Sequence, residues 1–330
     1  MRHVAGAVAA PEGEYDADVI ILSLGRATET ERAIASALAQ RGVSLHVIVL
    51  DQGSDPGTLA RLAAAVAGQG RASLYALDNN AGVAAGRNLA SARGHGRAIF
   101  GLDNDARCAT PDTLARSVAV LDADPALAAI GVRILAEATG GDDLHSWGYP
   151  RALLARAGQV FDAVTFVGAG HAIRRAAFER LGGYDEALFF CWEEYDFSLR
   201  AIAAGWAIRY HGDIAVRHRL SQDHRVAWSG RRWFYFTRNR LYIARKWGQG
   251  WAVLAPRVAL YLLRGLAQEE GLGAGFARLG QILRALPAAM AMARAVPVAT
   301  PSPAMRAYLA AHDRSHRAGW ERALARRELA

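Results

Sequence analysis

The chain has 330 residues, 52% hydrophobic and 21% charged, with a formal net charge of +8. That length suits two domains, or one large α/β domain with an extension, and the apolar fraction is ample for a large core. Two cysteines without CxxC spacing, Cys108 and Cys191, exclude a disulfide scaffold and point to a reducing, cytoplasmic compartment, while the cationic balance suits anionic partners.

Residues 1–17 read as an N-terminal tail: Arg2 precedes only a short Ala/Val stretch before Glu12 and Glu14, too short for a secretory signal. From Asp18 strands and helices alternate. Val19–Leu24, Leu45–Leu50, Ser73–Leu77 and Ala98–Leu102 are apolar runs of strand length. Thr28 and Glu31 form a capping box for a helix closing near Gly42, and helices follow at Thr58–Ala67 and Val83–Ala92. Thr110 caps another, with Pro111 at its first position, where proline costs least. This spacing predicts an α/β fold with a mostly parallel sheet covered on both faces.

From Trp147 aromatics increase and elements shorten. Helices at Arg175–Leu181 and Glu193–Ala204 stop on glycines, and short strands follow at Trp206–Tyr210 and Ile214–Val216. Beyond Arg231 the chain is helical, Arg-rich and broken by Gly and Pro. Composition sets the boundary between a main domain, 18–245, and a helical C-terminal extension, 246–330.

Leu102-Asp103-Asn104-Asp105 leaves the fourth strand at its carboxyl end, where open α/β sheets bind ligands. Two carboxylates so spaced can approach one hard cation, Mg²⁺ or Mn²⁺, whose other positions go to water and phosphate oxygens. A polar turn is the alternative. Asp51, in Asp51-Gln52-Gly53-Ser54-Asp55, can accept from a base N–H or a ribose hydroxyl. Asn80 and Gly82, with Arg87 in the next helix, offer a close backbone approach and a bidentate partner for a diphosphate; a surface ion pair is the bland reading.

Gly168-Ala169-Gly170 lacks the third glycine of a dinucleotide fingerprint, Ile173 standing in its place. Trp192-Glu193-Glu194-Tyr195-Asp196 opens a helix whose dipole by itself favours acids. Asp196 has Arg200 at i+4, whereas Glu193 and Glu194 have no such cation, so one of them can serve as a general base. His218 can ligate metal or contact phosphate.

In this order, strand–DxGS, NxGxxxxRN, strand–DxD, GxG…RR…F…GG(Y/F)DE…FF, an acidic EExD helix start and a late His, the sequence resembles the family 2 inverting glycosyltransferases of the GT-A fold. The bacterial rhamnosyltransferase-like members are most similar, over about residues 18–245. The resemblance implies a Rossmann-like nucleotide-binding half followed by an acceptor half, and transfer of a sugar from a nucleotide-sugar to an acceptor hydroxyl in cell-surface polysaccharide, glycolipid or glycosylated-metabolite synthesis. It implies donor contacts from Asp51, Asn80, Arg87, Asp103 and Arg26, and a metal held by Asp105, His218 and Asp103. The acceptor side falls to Gly183, Tyr184, Asp185, Glu186 and Trp192. Glu194, paired with Glu193, stands where the family places its base.

Two departures stand out. The first strand ends in Ser23-Leu24-Gly25-Arg26-Ala27 in place of the family's Pro-Thr-Tyr-Asn-like turn, and Glu194 replaces the usual aspartate. They leave two rivals open: a degenerate non-catalytic nucleotide-sugar-binding subunit, or a sugar-phosphate nucleotidyltransferase. No nucleic-acid partner is expected, since Trp228, Arg231, Arg232, Trp233 and Tyr235 fall in no known module. In the extension, Trp251, Leu254, Val258, Leu262 and Leu266 share a helical face opposite Arg257 and Arg264. Such a face suits an anionic membrane surface on the cytoplasmic side, the catalytic domain or a second subunit. No run is long and apolar enough to span a membrane.

Overall fold

The computed structural model describes residues 1–219, 231–266 and 272–317. Trp228 and residues 318–330 of the expected extension lie outside the described residues. The strands are β1 (Arg2–Gly6), β2 (Ala17–Ser23), β3 (Leu45–Asp51), β4 (Ala72–Ala76), β5 (Ala98–Leu102), β6 (Ala106–Cys108), β7 (Leu127–Ala136), β8 (Val160–Ala163), β9 (Gly170–Arg174) and β10 (Ala207–His218). They form one mixed sheet in the order β1-β4-β3-β2-β5-β9-β7-β10-β6, with β8 also paired to β10. The helices are α1 (Ala27–Leu38), α2 (Pro56–Val66), α3 (Val83–Ser91), α4 (Thr113–Ala123), α5 (Arg175–Arg180), α6 (Glu193–Ala203), α7 (Trp233–Lys246), α8 (Trp251–Leu266), α9 (Leu272–Arg294) and α10 (Pro303–His312).

The parallel half, β4-β3-β2-β5, is near-continuously apolar because both its faces are covered. Alternate residues of β2 point to opposite layers: Val19 and Ile21 meet Ile34 of α1 and Leu62 of α2, while Ile20 joins Phe178, Phe197 and Tyr242 on the other face. This is the doubly covered architecture expected of a GT-A fold. Antiparallel β9 joins β5 to β7, so the carboxyl ends of β2, β3, β5, β7 and β10 and the start of β9 share one edge.

Several expectations change. The presumed tail supplies edge strand β1, antiparallel to β4, and buries Tyr15, whose hydroxyl donates to the fully buried Asp18 carboxylate at 2.6 Å. Thr28 does not cap α1. The chain turns two residues earlier, through Gly25 (φ 66°) and Arg26 (φ 53°), and Thr28 and Glu31 instead hold Arg61 of α2. The helix expected from Thr110 begins at Thr113, because the Thr110 hydroxyl donates to Asp112 and ties the preceding residues into a turn. The two short strands near 206–216 are one strand, β10, with Gly212-Asp213 absorbed as a register shift against β7.

The residues beyond 245 share the main core. Leu254, Ala289, Met305 and Leu309 pack in the same cluster as Ile20 and Phe197, and the Tyr308 hydroxyl accepts from Ile208 N and lies 3.0 Å from Ala163 O. The single apolar face expected on α8 is therefore divided: Leu254 is buried, whereas Trp251 and Leu266 are exposed, as are Leu263 and, on α9, Phe276 and Leu283. Among the described residues, no helix is long and apolar enough to cross a membrane.

Candidate active site

Each strand that ends at the common edge delivers a polar residue there. At the end of β3, the buried Asp51 carboxylate accepts from the backbone N–H groups of Gly53 and Ser54 and from the Ser54 hydroxyl, which fixes the turn. Ser54 Oγ in turn accepts from Gly25 N at 2.8 Å, so the turns after β2 and β3 are tied together. Arg26 follows, and its Nη1 donates to Asp105 Oδ2 at 2.7 Å. Asn80 is exposed and its Oδ1 accepts from Gly82 N at 2.8 Å, shaping the entry to α3.

Asp105 is buried between two cations. Its Oδ1 lies 3.1 Å from His218 Nε2, while His218 Nδ1 lies 2.8 Å from Asp143 Oδ2. Burial works against the Asp105 charge, but the His218 and Arg26 hydrogen bonds outweigh it and hold the carboxyl below its ordinary range. Burial likewise opposes a charged His218, yet the carboxylates of Asp105 and Asp143 lift it to about 9. Oxygen atoms of Asp103 and Asp105 and a ring nitrogen of His218 lie within 4.8 Å of one another. Two hard oxygens with one imidazole suit a divalent cation, and the imidazole favours Mn²⁺ over Mg²⁺.

Arg87 joins this cluster to the acidic helix. It is buried, and its Nη1 donates to Glu194 Oε1 at 2.7 Å while Nη2 donates to Asp103 Oδ1 at 3.2 Å and to Gly168 O at 3.1 Å. Burial opposes its charge, and the Glu194 carboxylate more than restores it. Glu194 Oε2 carries no hydrogen bond among the described residues. Glu193 is more deeply buried, its Oε2 has no hydrogen-bond partner among the described residues, and burial beside Glu194 pushes its carboxyl up to about 8.

Residues 18–182 match the family model for glycosyl transferase family 2, half of the chain's length. The chain belongs to this family. The succinoglycan biosynthesis protein ExoO of Rhizobium meliloti (strain 1021) is 37% identical over 115 residues, 35% of this chain and 32% of that protein. The chain thus aligns with about a third of that relative's length.

Three solved structures share the fold. The mannosyltransferase PcManGT from Pyrobaculum calidifontis, in complex with GDP-Man and Mn²⁺, has a TM-score of 0.52 at 18% identity, covering 98% of this chain and 87% of that one. GalNAc-T7 with UDP, GalNAc and Mn²⁺ has a TM-score of 0.59 at 15% identity, covering 82% and 55%. TarS 1-349 of S. aureus has a TM-score of 0.54 at 16% identity, covering 84% and 83%.

Within this family 2 domain the residues expected at the donor and metal converge, whereas those expected at the acceptor are mostly engaged in packing. Tyr184 is buried with its hydroxyl 3.1 Å from His171 Nε2. Asp185 accepts from Tyr242 Oη and Lys246 Nζ, and Glu186 accepts from Asn88 Nδ2. Gly183, at φ 72°, lies where a Cβ would meet Asn88 Oδ1 at 2.6 Å. Trp192 reaches a cavity of about 500 Å³ beside the site.

Sequence reasoning missed Asp143 and Asn239, and gave Gly168 no role beyond its place in the GxG motif. A Cβ at Gly168 would sit 2.3 Å from Glu194 Oε1 and 2.8 Å from Arg87 Nη2, so a larger residue there would push this ion pair out of place. Asn239 of α7 places its amide nitrogen 2.7–2.8 Å from the carbonyls of Leu188, Phe190 and Cys191. It thereby holds a loop in which Phe189, Cys191 and Trp192 all have positive φ. Each such non-glycine residue costs on the order of 1 kcal/mol, and strain of this kind gathers where a side chain must be aimed.

Proposed function

We propose that the chain transfers a sugar from a nucleotide-sugar to an acceptor hydroxyl with inversion, in synthesis of a cell-surface polysaccharide or related glycoconjugate. The observation that carries this reading is Arg87, one buried guanidinium bonded to both Glu194 and Asp103. It sets a carboxylate for the acceptor at a fixed place relative to the DxD residues for the donor.

Arg87 holds Glu194 by one oxygen, leaving Oε2 to take the acceptor's proton as the hydroxyl oxygen bonds to the anomeric carbon. The bond from that carbon to the nucleoside diphosphate breaks as this one forms. Asp51 lies at the end of β3, where a base or ribose would be read, and Arg26 and Arg87 are guanidiniums suited to diphosphate oxygens. Asp103, Asp105 and His218 would hold Mn²⁺ or Mg²⁺, which when bound supplies charge neutralisation for the leaving diphosphate. The Mn²⁺ in the PcManGT and GalNAc-T7 structures supports that reading.

The ExoO match supports a polysaccharide product. The exposed Trp251, Leu263, Leu266, Phe276 and Leu283 support attachment to the cytoplasmic face of a membrane, and liposome flotation tests it. The decisive experiment is Glu194→Gln. Transfer should fall at least about a thousandfold with donor affinity unchanged, and full turnover by that variant would overturn the assignment.

A further inference from the structure

The segment that follows β7 folds back on that strand before it reaches His218. Asp143 N donates to Ile134 O at 2.9 Å, and Arg133 of β7 grips Asp142 through Nε at 2.7 Å and Nη2 at 3.0 Å. Glu137 N donates to His218 O at 2.9 Å, which ties the same segment to the end of β10. Main-chain bonds and an ion pair thus set Asp143 and His218 in one frame.

The Asp143 side chain is fully buried, and each of its oxygens has fixed partners. Oδ1 accepts from His145 N at 3.0 Å. Oδ2 accepts from the Ser146 hydroxyl at 2.6 Å and lies 2.8 Å from His218 Nδ1. An ionised carboxylate only accepts, so the proton between Asp143 and the ring belongs to Nδ1. The opposite nitrogen, Nε2, faces Asp105 Oδ1 at 3.1 Å, within the cluster of Asp103, Asp105 and His218.

We propose that Asp143 is a positioning residue for the metal site: it keeps the His218 proton on Nδ1 and so presents Nε2 as the ligand nitrogen. The inference deepens the metal-assisted reading above and rests on it. A carboxylate behind a ligating imidazole fixes both tautomer and ring plane, and its loss typically costs about 10–100-fold in metal affinity.

Asp143→Asn reverses the tautomer. The His145 N–H is a backbone donor that cannot turn round, so the amide oxygen must take the place of Oδ1 and the amide nitrogen that of Oδ2. That nitrogen only donates, so His218 Nδ1 must accept and the ring proton moves to Nε2, on the metal side. The new side chain has nearly the shape of the old and keeps the turn at His145.

The test is titration of the full chain with Mn²⁺, followed by the resonance of the free ion, and then the ¹⁴N coupling of bound Mn²⁺ at saturation. Wild type should show one coordinated imidazole nitrogen. Asp143→Asn should bind about 10–100-fold more weakly, and the ion that remains bound should lose the ¹⁴N coupling. Should that variant melt early without metal, Asp143→Ala carries the same two expectations.

Unchanged affinity, or weaker binding with the ¹⁴N coupling intact, overturns the proposal, the second by reducing Asp143 to a prop for its loop. Wild-type Mn²⁺ without ¹⁴N coupling also overturns it, while leaving the two aspartates as ligands. If wild type binds no Mn²⁺, the metal assignment falls and this inference with it. Nucleotide-sugar hydrolysis by the wild-type chain reads the transferase assignment separately, whatever the Asp143 variants do.

Discussion

At Glu194 the carboxylate is answered by Arg87, while one residue earlier Glu193 is buried with Oε2 unbonded among the described residues and its carboxyl raised to about 8. An unfolded Glu ionises near 4.5, so between about 4.5 and 8 folding takes up a proton at residue 193. The stability this neutral carboxyl confers is complete below that window and is lost as pH rises through it. Glu193→Gln is neutral throughout. Its melting temperature should match wild type at about pH 4.5 and exceed it progressively toward about pH 8.5. A pH-independent difference would mean that Glu193 is ionised in the fold. Gly168→Ala tests the same corner sterically, since a methyl 2.3 Å from Glu194 Oε1 and 2.8 Å from Arg87 Nη2 must displace the pair. Transfer should fall at least about tenfold, whereas Gly70→Ala, with open space around it, should leave rates unchanged.

The strained turn into α6 gives the corresponding test for an element. Positive φ at Phe189, Cys191 and Trp192 aims the acidic residues only while Asn239 and Arg238 of α7 hold the carbonyls of Ala187, Leu188, Phe190 and Cys191. Asn239→Leu removes the amide that answers the Phe190 and Cys191 carbonyls, costing about 2 kcal/mol of stability and most of the activity. Wild-type kcat/KM in that variant would show that the turn is held by its own packing. This clamp lies beyond sequence reading because it joins residues 48 to 51 positions apart. Likewise Asp143 supports His218 across 75 residues and Gly168 meets Arg87 across 81. The legible parts were local: apolar strand runs, glycine stops, DxD at a strand end and the Asp196–Arg200 pair, found at 2.8 Å. Where local rules failed, as with Thr28, a tertiary partner, Arg61, took the side chain the cap would have used.

Over the whole molecule, what composition marked as an extension beyond 245 behaves as part of one core. Lys246 bridges Asp185 and Asp196, and Trp247 is buried. Farther out, Tyr308 of α10 seals the junction of β8 and β10 by accepting from Ile208 N at 3.0 Å with Ala163 O at the same distance. If the C-terminal helices were a separate module, heating would release them first. Because Leu254, Ala289, Met305 and Leu309 pack with Ile20 and Phe197, far-ultraviolet circular dichroism and tryptophan fluorescence should instead report a single coincident transition. Tyr308→Phe keeps the ring but strands the Ile208 amide, so that shared transition should move down by about 1–3 kcal/mol as one event. A variant in which the fluorescence transition moved while the dichroic one stayed would divide the molecule near residue 245 and restore the extension as an independent unit.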